Sequence, residues 1–270
     1  MKLQKRLRKE NIRLKKSLGQ NFLINKDIAN KIVKIANING DEKIIEIGMG
    51  SGMLTREIVK YGVQVVVFEV DLSLKQLHKD IIQANNVKIY YKDFLKYKLE
   101  NIESSKIKYI ANIPYNITSP ILEKILFNGP DFILAVLMVQ KEFAERIIAE
   151  PGSKAYGALT VKMNTFSNIQ KVMSVSRKNF FPEPNVDSSV LKLTMKVENV
   201  IPFEERKKFN RFINLCFSHR RKQLKNNLKG LIDKPEEFIA KYGIEPKARA
   251  EELDLEQFIS LFEGYQRVVK

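Results

Sequence analysis

Five short apolar runs, KIIEI (43–47), VQVVVFEV (63–70), VKIYY (87–91), IKYIA (107–111) and FILAVLMV (132–139), alternate with stretches of helical spacing. This alternation leaves few folds open. The runs are β-branched or aromatic and nearly continuous in apolar character, as strands buried on both faces must be. TREIVKYG, SLKQLHKDIIQA and SPILEKILFNG, which separate them, have the length and period of crossover helices. A mostly parallel sheet with helices on both sides is therefore predicted. After residue 150 the pattern changes. IQKVMSVSR (169–177) and SSVLKLTMK (188–196) flank the loop FFPEPNVD with no room for a helix, which predicts an antiparallel pair at the sheet edge.

From about residue 202 the strands stop. Phe209, Phe212, Ile213, Cys216 and Phe217 recur at i, i+3, i+4, i+7 and i+8, and Leu224, Leu228 and Phe238 continue the helical theme. The expected organisation is a basic N-terminal tail (1–16), an α/β domain (17–200) and a helical domain (201–270). Cys216 sits on the apolar stripe and reads as a packing thiol rather than a reactive one.

Charge narrows the partner. Against 31 Asp and Glu stand 47 Lys and Arg, a formal charge of +16, which favours a polyanion such as nucleic acid over an acidic membrane. Residues 1–16 hold eight basic residues and one Glu, and residues 206–229 hold nine with no acid. Either run can be a solvated mobile face, and the first is expected to be disordered in the free protein; as a pair they suit RNA backbone neutralisation. One cysteine excludes an internal disulfide and a thiolate zinc cluster, and with two histidines no metal site is expected. Neither a signal-peptide core nor a bilayer-length apolar run is present, so a soluble, cytoplasmic, reducing-compartment protein is expected.

Chemistry concentrates at strand ends. IIEIGMGSG sets Gly48, Gly50 and Gly52 after the first strand, where a ligand can approach the backbone, although glycine turns there are common. Glu69, in FEVD, ends the second strand 21 residues after Gly48, the place of an acid that holds both ribose hydroxyls. The G-x-G-x-G spacing departs from the G-x-G-x-x-G of pyrophosphate binders and leans toward S-adenosylmethionine. Asp93, after the third strand, reads either as a loop aspartate or helix N-cap, or as an acceptor for an adenine amine.

NIPY ends the fourth strand, so Asn112, Pro114 and Tyr115 read either as a proline-stopped strand end or as a site for a planar base. An exocyclic adenine amine is a poor nucleophile because its lone pair is delocalised. Hydrogen bonds from that amine to the Asn112 side chain and to the carbonyl of Ile113 or Pro114 would free the pair, with Tyr115 stacked on the base.

KKSLGQNFL, IEIGMGSGMLT, VFEVD, NIPYNITSPIL and FFPEPNVDSSVLKL together resemble, in order and spacing, the rRNA adenine dimethyltransferases. The resemblance covers roughly residues 15–230. It implies a Rossmann-like S-adenosylmethionine-dependent fold with a helical RNA-binding domain. It also implies a cofactor site of Asn21, Leu23 (through its backbone, its side chain being replaceable), Gly48, Gly50, Glu69, Asp93 and Asn112. Phe180 matches the aromatic that covers the target base opposite Tyr115, with Phe181 as a substitute, and Arg220, Arg221, Lys222 and Lys225 in FSHRRKQLKNNLKG match an RNA-contacting run. Met49 and Ser51 depart from the usual glycine turn, where contacts are mainly backbone. His219 stands where glutamine is frequent and reads as an RNA or packing contact.

NITSP, VDSSV with Asp187 and the RRK run favour the KsgA-type branch acting on small-subunit (16S) rRNA over the erythromycin-resistance type acting on the large subunit. The branch implies dimethylation of two adjacent adenosines in the last small-subunit hairpin, a late role in small-subunit assembly, and a monomer whose partner is the pre-small subunit. Two readings from other classes stand beside it: a non-catalytic RNA-binding assembly factor on the same fold, and a nucleotide-dependent oxidoreductase.

Overall fold

A computed structural model describes residues 3–99, 102, 106–196 and 201–269, and divides into two compact units: Met1–Ala144 with Ile169–Met195, and Glu145–Asn168 with Lys196–Lys270. The strands in chain order are β1 (Phe22–Leu23), β2 (Lys43–Ile47), β3 (Gln64–Phe68), β4 (Val87–Tyr90), β5 (Ile107–Asn112), β6 (Leu134–Gln140), β7 (Ser167–Val175), β8 (Phe180–Phe181) and β9 (Ser188–Met195). Seven form one sheet in the order β4-β3-β2-β5-β6-β9-β7. The pairs from β4 through β6 are parallel, and β9 joins β6 antiparallel with Ser188 opposite Gln140. The predicted strands are all present, and the two that flank the proline loop are neighbours at the edge.

Local sequence explains the layers. In the helix Lys26–Ile35, Ala29, Ile32 and Val33 share one stripe, and the Asn25 side chain accepts hydrogen bonds from the Asp27 and Ile28 amides at its start. That stripe, with Leu54 and Ile58 of the helix Met53–Ile58, buries Ile44, Val65, Ile110 and Val136 of the sheet. The predicted helix SLKQLHKDIIQA is instead a 3₁₀ segment, Leu72–His78, followed by one α turn, Lys79–Ile82. A three-residue turn eclipses side chains at i and i+3, which buries both Leu74 and Leu77.

Two expectations for this unit are corrected. The basic N-terminus is not a mobile tail: Leu3–Lys9 is a helix, and Leu7 and Ile12 pack with Phe22, Leu74 and Leu77, with Leu3, Leu14 and Phe181 at the margin. Four apolar residues dispersed among eight cations supply a one-sided stripe that composition conceals. FFPEP, read as a loop, and GQNFL, given no secondary structure by pattern, pair as a two-stranded antiparallel ribbon, Phe22 opposite Phe181 and Leu23 opposite Phe180.

The second unit is helical, with Ala158–Phe166, Arg206–Cys216, Leu224–Leu228, Pro235–Ala240 and Leu255–Val268. It begins well before residue 201. Phe166 meets Phe209 edge-on with ring centroids 5.8 Å apart, and the Tyr156 hydroxyl donates to the Leu253 carbonyl at 2.9 Å, so residues 145–168 belong to this core. The expected boundary at residue 200 falls on 197–200, outside the described residues. Cys216 is fully buried, and burial pushes its thiol pKa well up, as a packing thiol requires. Among the described residues no helix is long and apolar enough to cross a membrane, and no cluster of His, Cys, Asp and Glu suits a metal ion.

Candidate active site

The C-terminal ends of β2, β3, β4 and β5 open onto one cavity of about 290 Å³. In an open α/β sheet this edge is where ligands bind, because loops there diverge and leave backbone groups unpaired. Asn21, Gly48, Gly50, Glu69, Asp93, Asn112, Ile113, Pro114 and Tyr115 all line it, so nine of the predicted residues converge.

The glycine turn explains its own composition. Gly50 has φ +55°, and a Cβ there would lie 2.9 Å from Cδ1 of Phe22. At Gly48, with φ +79°, a Cβ would touch the Pro114 ring at 3.4 Å. The turn thus packs against GQNFL on one side, where a Cβ at Gly50 would clash, and touches NIPY on the other, where the positive φ of Gly48 rather than want of space disfavours a side chain.

Glu69 is 5% exposed. Its Oε2 accepts from the Gly50 amide at 2.9 Å and its Oε1 from the Asp71 amide at 2.8 Å. Burial raises its pKa, and these amides pull the other way by favouring the ionised form. Each oxygen keeps a second lone pair, enough for two ribose hydroxyls. Asp93 realises its N-cap reading with one oxygen, which accepts from the Leu95 amide at 2.9 Å, while its other oxygen meets no donor among the described residues. Asn112 ends β5. Its amide nitrogen donates to the Asn21 carbonyl at 3.1 Å, but its Oδ1 is buried with no partner among the described residues. An acceptor left in this state costs about 1–3 kcal/mol unless a donor reaches it.

Two predicted residues lie elsewhere. Leu23 does not line the cavity; it is 4% exposed, its carbonyl accepts from the Ser51 hydroxyl at 3.4 Å, and its side chain belongs to the core, so it is not freely replaceable. Phe180, its partner in the ribbon, is 3% exposed in the same cluster and is not among the residues lining the cavity. The alternation of β8 turns these neighbouring rings apart, and Phe181 is the more accessible one.

Several contributors were missed. The Asp71 carboxylate accepts from Lys15 Nζ at 2.6 Å, Gln20 Nε2 at 2.7 Å and the Ser73 hydroxyl at 2.7 Å, which ties the segment before GQNFL to the loop after β3. Asn116 adds a tie from its side chain to the Ser17 carbonyl at 3.1 Å. His78 is fully buried, with Nε2 2.8 Å from the Gly50 carbonyl and Nδ1 3.0 Å from the Tyr91 hydroxyl; burial lowers its pKa, so it braces the glycine turn as a neutral ring. For Asp71, Lys15 and Gln20 the signal lies in the motifs FEVD and KKSLGQNFL, in which only Glu69, Asn21 and Leu23 carry roles by sequence.

In the second unit Arg220 bonds the Glu251 carboxylate at 2.8 Å and the Tyr156 carbonyl at 3.1 Å, and Lys225 pairs with Glu236 at 2.5 Å. Arg206 is buried over the rings of Phe166 and Phe203. Arg221 and Lys222 are exposed, with no side-chain partner among the described residues.

The profile of the family described as "Ribosomal RNA adenine dimethylase" matches residues 11–267. A protein of Thermotoga maritima named ribosomal RNA small subunit methyltransferase A is 41% identical over 98% of this chain and 90% of its own length. Its namesake in Mycoplasma mobile is 42% identical over 92% and 96%. Among solved structures, a dimethyladenosine transferase of Plasmodium falciparum superposes with a TM-score of 0.74 at 28% identity, covering 90% of this chain and 96% of that one. A 23S rRNA methyltransferase, ErmE, gives 0.67 at 26% identity, covering 91% and 100%.

Proposed function

The chain belongs to the ribosomal RNA adenine dimethylase family and is an S-adenosylmethionine-dependent dimethyltransferase of small-subunit rRNA adenines, and on that premise we propose that the strand-end cavity is its reaction centre. The large-subunit alternative is not favoured, since the relatives at about 40% identity over nearly the whole chain carry the small-subunit name.

The observation that carries the assignment is the unpartnered Asn112 Oδ1, buried at the end of β5 and lining the cavity with Glu69 and Asp93. Bound S-adenosylmethionine supplies an electrophilic methyl on a sulfonium. Glu69 holds the ribose hydroxyls through its free lone pairs, the free oxygen of Asp93 accepts from the cofactor's adenine amine, and Asn21, Gly48 and Gly50 contact it mainly through backbone. Asn112 Oδ1 accepts one hydrogen of the target amine. The second acceptor is the Ile113 carbonyl, because that of Pro114 already takes the Ile117 amide at 3.2 Å, with the Thr118 hydroxyl 3.3 Å from it and from the Tyr115 carbonyl alike. These two bonds draw the nitrogen toward tetrahedral geometry and release its lone pair for in-line attack. Tyr115 stacks on the base. No ionised base is needed, since the proton leaves once the nitrogen is cationic.

Arg221 and Lys222 contact RNA phosphates; their exposure supports this, whereas Arg220 and Lys225 already hold carboxylates. Following the family resemblance, the substrate is a pair of adjacent adenosines in the last hairpin of the assembling small subunit. One chain suffices, since every cavity residue lies in one compact unit.

The test supplies labelled S-adenosylmethionine with undermethylated small or large subunits and maps primer-extension stops, because dimethyladenosine cannot pair. Label and stops confined to the small subunit are expected. Label only in the large subunit would overturn the substrate assignment, and none in either would favour a non-catalytic assembly factor.

A further inference from the structure

The stretch VDSS contributes no group to the cavity, yet Ser188 is 1% exposed and its Oγ lies 2.6 Å from the Tyr115 hydroxyl. A contact this short between two hydroxyls, one fully and one partly buried, is a full hydrogen bond. Phenylalanine would supply the same stacking face as Tyr115, so stacking alone leaves the hydroxyl without a purpose. Ser188 gives it one.

Its own position is fixed from both sides. In the β6–β9 ladder it sits opposite Gln140, and the preceding Asp187 carbonyl accepts from the Lys141 amide at 3.0 Å. The Asp187 carboxylate accepts from the Arg177 amide at 2.9 Å, which closes the proline loop onto the start of β9. Tyr115 by contrast stands on a single 3₁₀ turn, Tyr115–Ile117, a short element with weak hydrogen-bond geometry. Tyr115 also lines the cavity. Burial raises the Tyr115 pKa, which keeps the phenol neutral and able to share a proton with the serine.

We propose that Ser188 is a positioning residue for methyl transfer: it pins the Tyr115 hydroxyl to β9 and so fixes the ring plane against which the target adenine stacks. The inference rests on the base-stacking role of Tyr115. The Asp187–Ser188 pair then acts as one device, the carboxylate setting the strand start and the hydroxyl setting the ring.

Four variants, Ser188→Ala, Ser188→Thr, Tyr115→Phe and the double Ser188→Ala/Tyr115→Phe, are compared for kcat/KM on the small subunit, for S-adenosylmethionine affinity by calorimetry and for Tm. Ser188→Ala is expected to lower kcat/KM roughly five- to tenfold, the effect of one lost hydrogen bond, with cofactor affinity unchanged. Ser188→Thr, which keeps the hydroxyl, retains most of the activity. Tyr115→Phe loses about as much as Ser188→Ala, and the double variant loses no more than either. Wild-type kcat/KM for Ser188→Ala, or losses that multiply in the double variant, would overturn the inference. A merely structural role would lower Tm and leave kcat/KM on the folded enzyme intact. If Ser188→Ala fails to fold, Tyr115→Phe and Ser188→Thr carry the comparison. Tyr115→Ala tests the premise separately: undiminished transfer by that variant removes the stacking role itself, and the inference with it.

Discussion

Glu46 is the acid of KIIEI, the first large-sheet strand, and it is 1% exposed with both carboxyl oxygens lacking a hydrogen-bond partner among the described residues. Burial raises its pKa from 4.5 to about 8, the Glu69 charge adds to the rise, and the Arg56 charge opposes it. The folded chain therefore holds a proton on Glu46 through a range in which the unfolded chain has released it. A pKa raised on folding contributes stability that is fully present below pH 4.5 and is lost as the pH rises through about 8. At about 1.4 kcal/mol for each pH unit between the two values, the loss is on the order of 5 kcal/mol. Glu46→Gln reproduces the shape and neutrality of the protonated acid at every pH. Denaturant unfolding of both proteins, stepped from about pH 5 to about pH 9, should show the variant overtaking the wild type as the pH rises. Taking the difference between the two curves removes the titration of the groups that do not interact with Glu46. Parallel curves would refute the reasoning, because they would mean that Glu46 is ionised and solvated in the folded state.

Leu23→Ala should cost about 2–4 kcal/mol by denaturant unfolding, since it empties a buried site beside Phe180; a neutral result would restore the view that only its backbone matters. Glu69→Ala should abolish S-adenosylmethionine binding in calorimetry while the Tm stays close to that of the wild type. Replacing Arg221 and Lys222 together by Ala should flatten the salt dependence of RNA affinity by about two in log–log slope, whereas Arg220→Ala should mainly lower Tm by releasing Glu251.

Wherever function depended on the ends of long strands, it was legible in the sequence. β2 to β5 are apolar enough to be fixed by pattern alone, and parallel connectivity then forces their C-termini onto one edge, so Gly48, Glu69, Asp93 and Asn112 had to converge. What escaped was set by partners distant in the chain. The β1–β8 ribbon is two residues long on each side and joins positions more than a hundred residues apart, so no local period announces it. Its register alone decides that Phe180 and Leu23 are core while Phe22 reaches the cavity. Charge misled in a similar way. Arg220 and Lys225 look like Arg221 and Lys222 in sequence, and only Glu251 and Glu236, brought in by folding, distinguish them. The helical unit reaches back to residue 145 because of aromatic contacts between Phe166 and Phe209, which no local run of residues encodes.

The central claim is that Asn112 Oδ1, left without a donor by the fold, is filled by the target amine. Its most direct measurement is single-turnover methyl transfer by Asn112→Ala at saturating S-adenosylmethionine on undermethylated small subunits. A rate lower by about 10²–10³ is expected, the usual cost of a lost preorganised polar group, with the fold retained and saturation by the cofactor still attainable. Transfer at a rate close to that of the wild type under those conditions would contradict it.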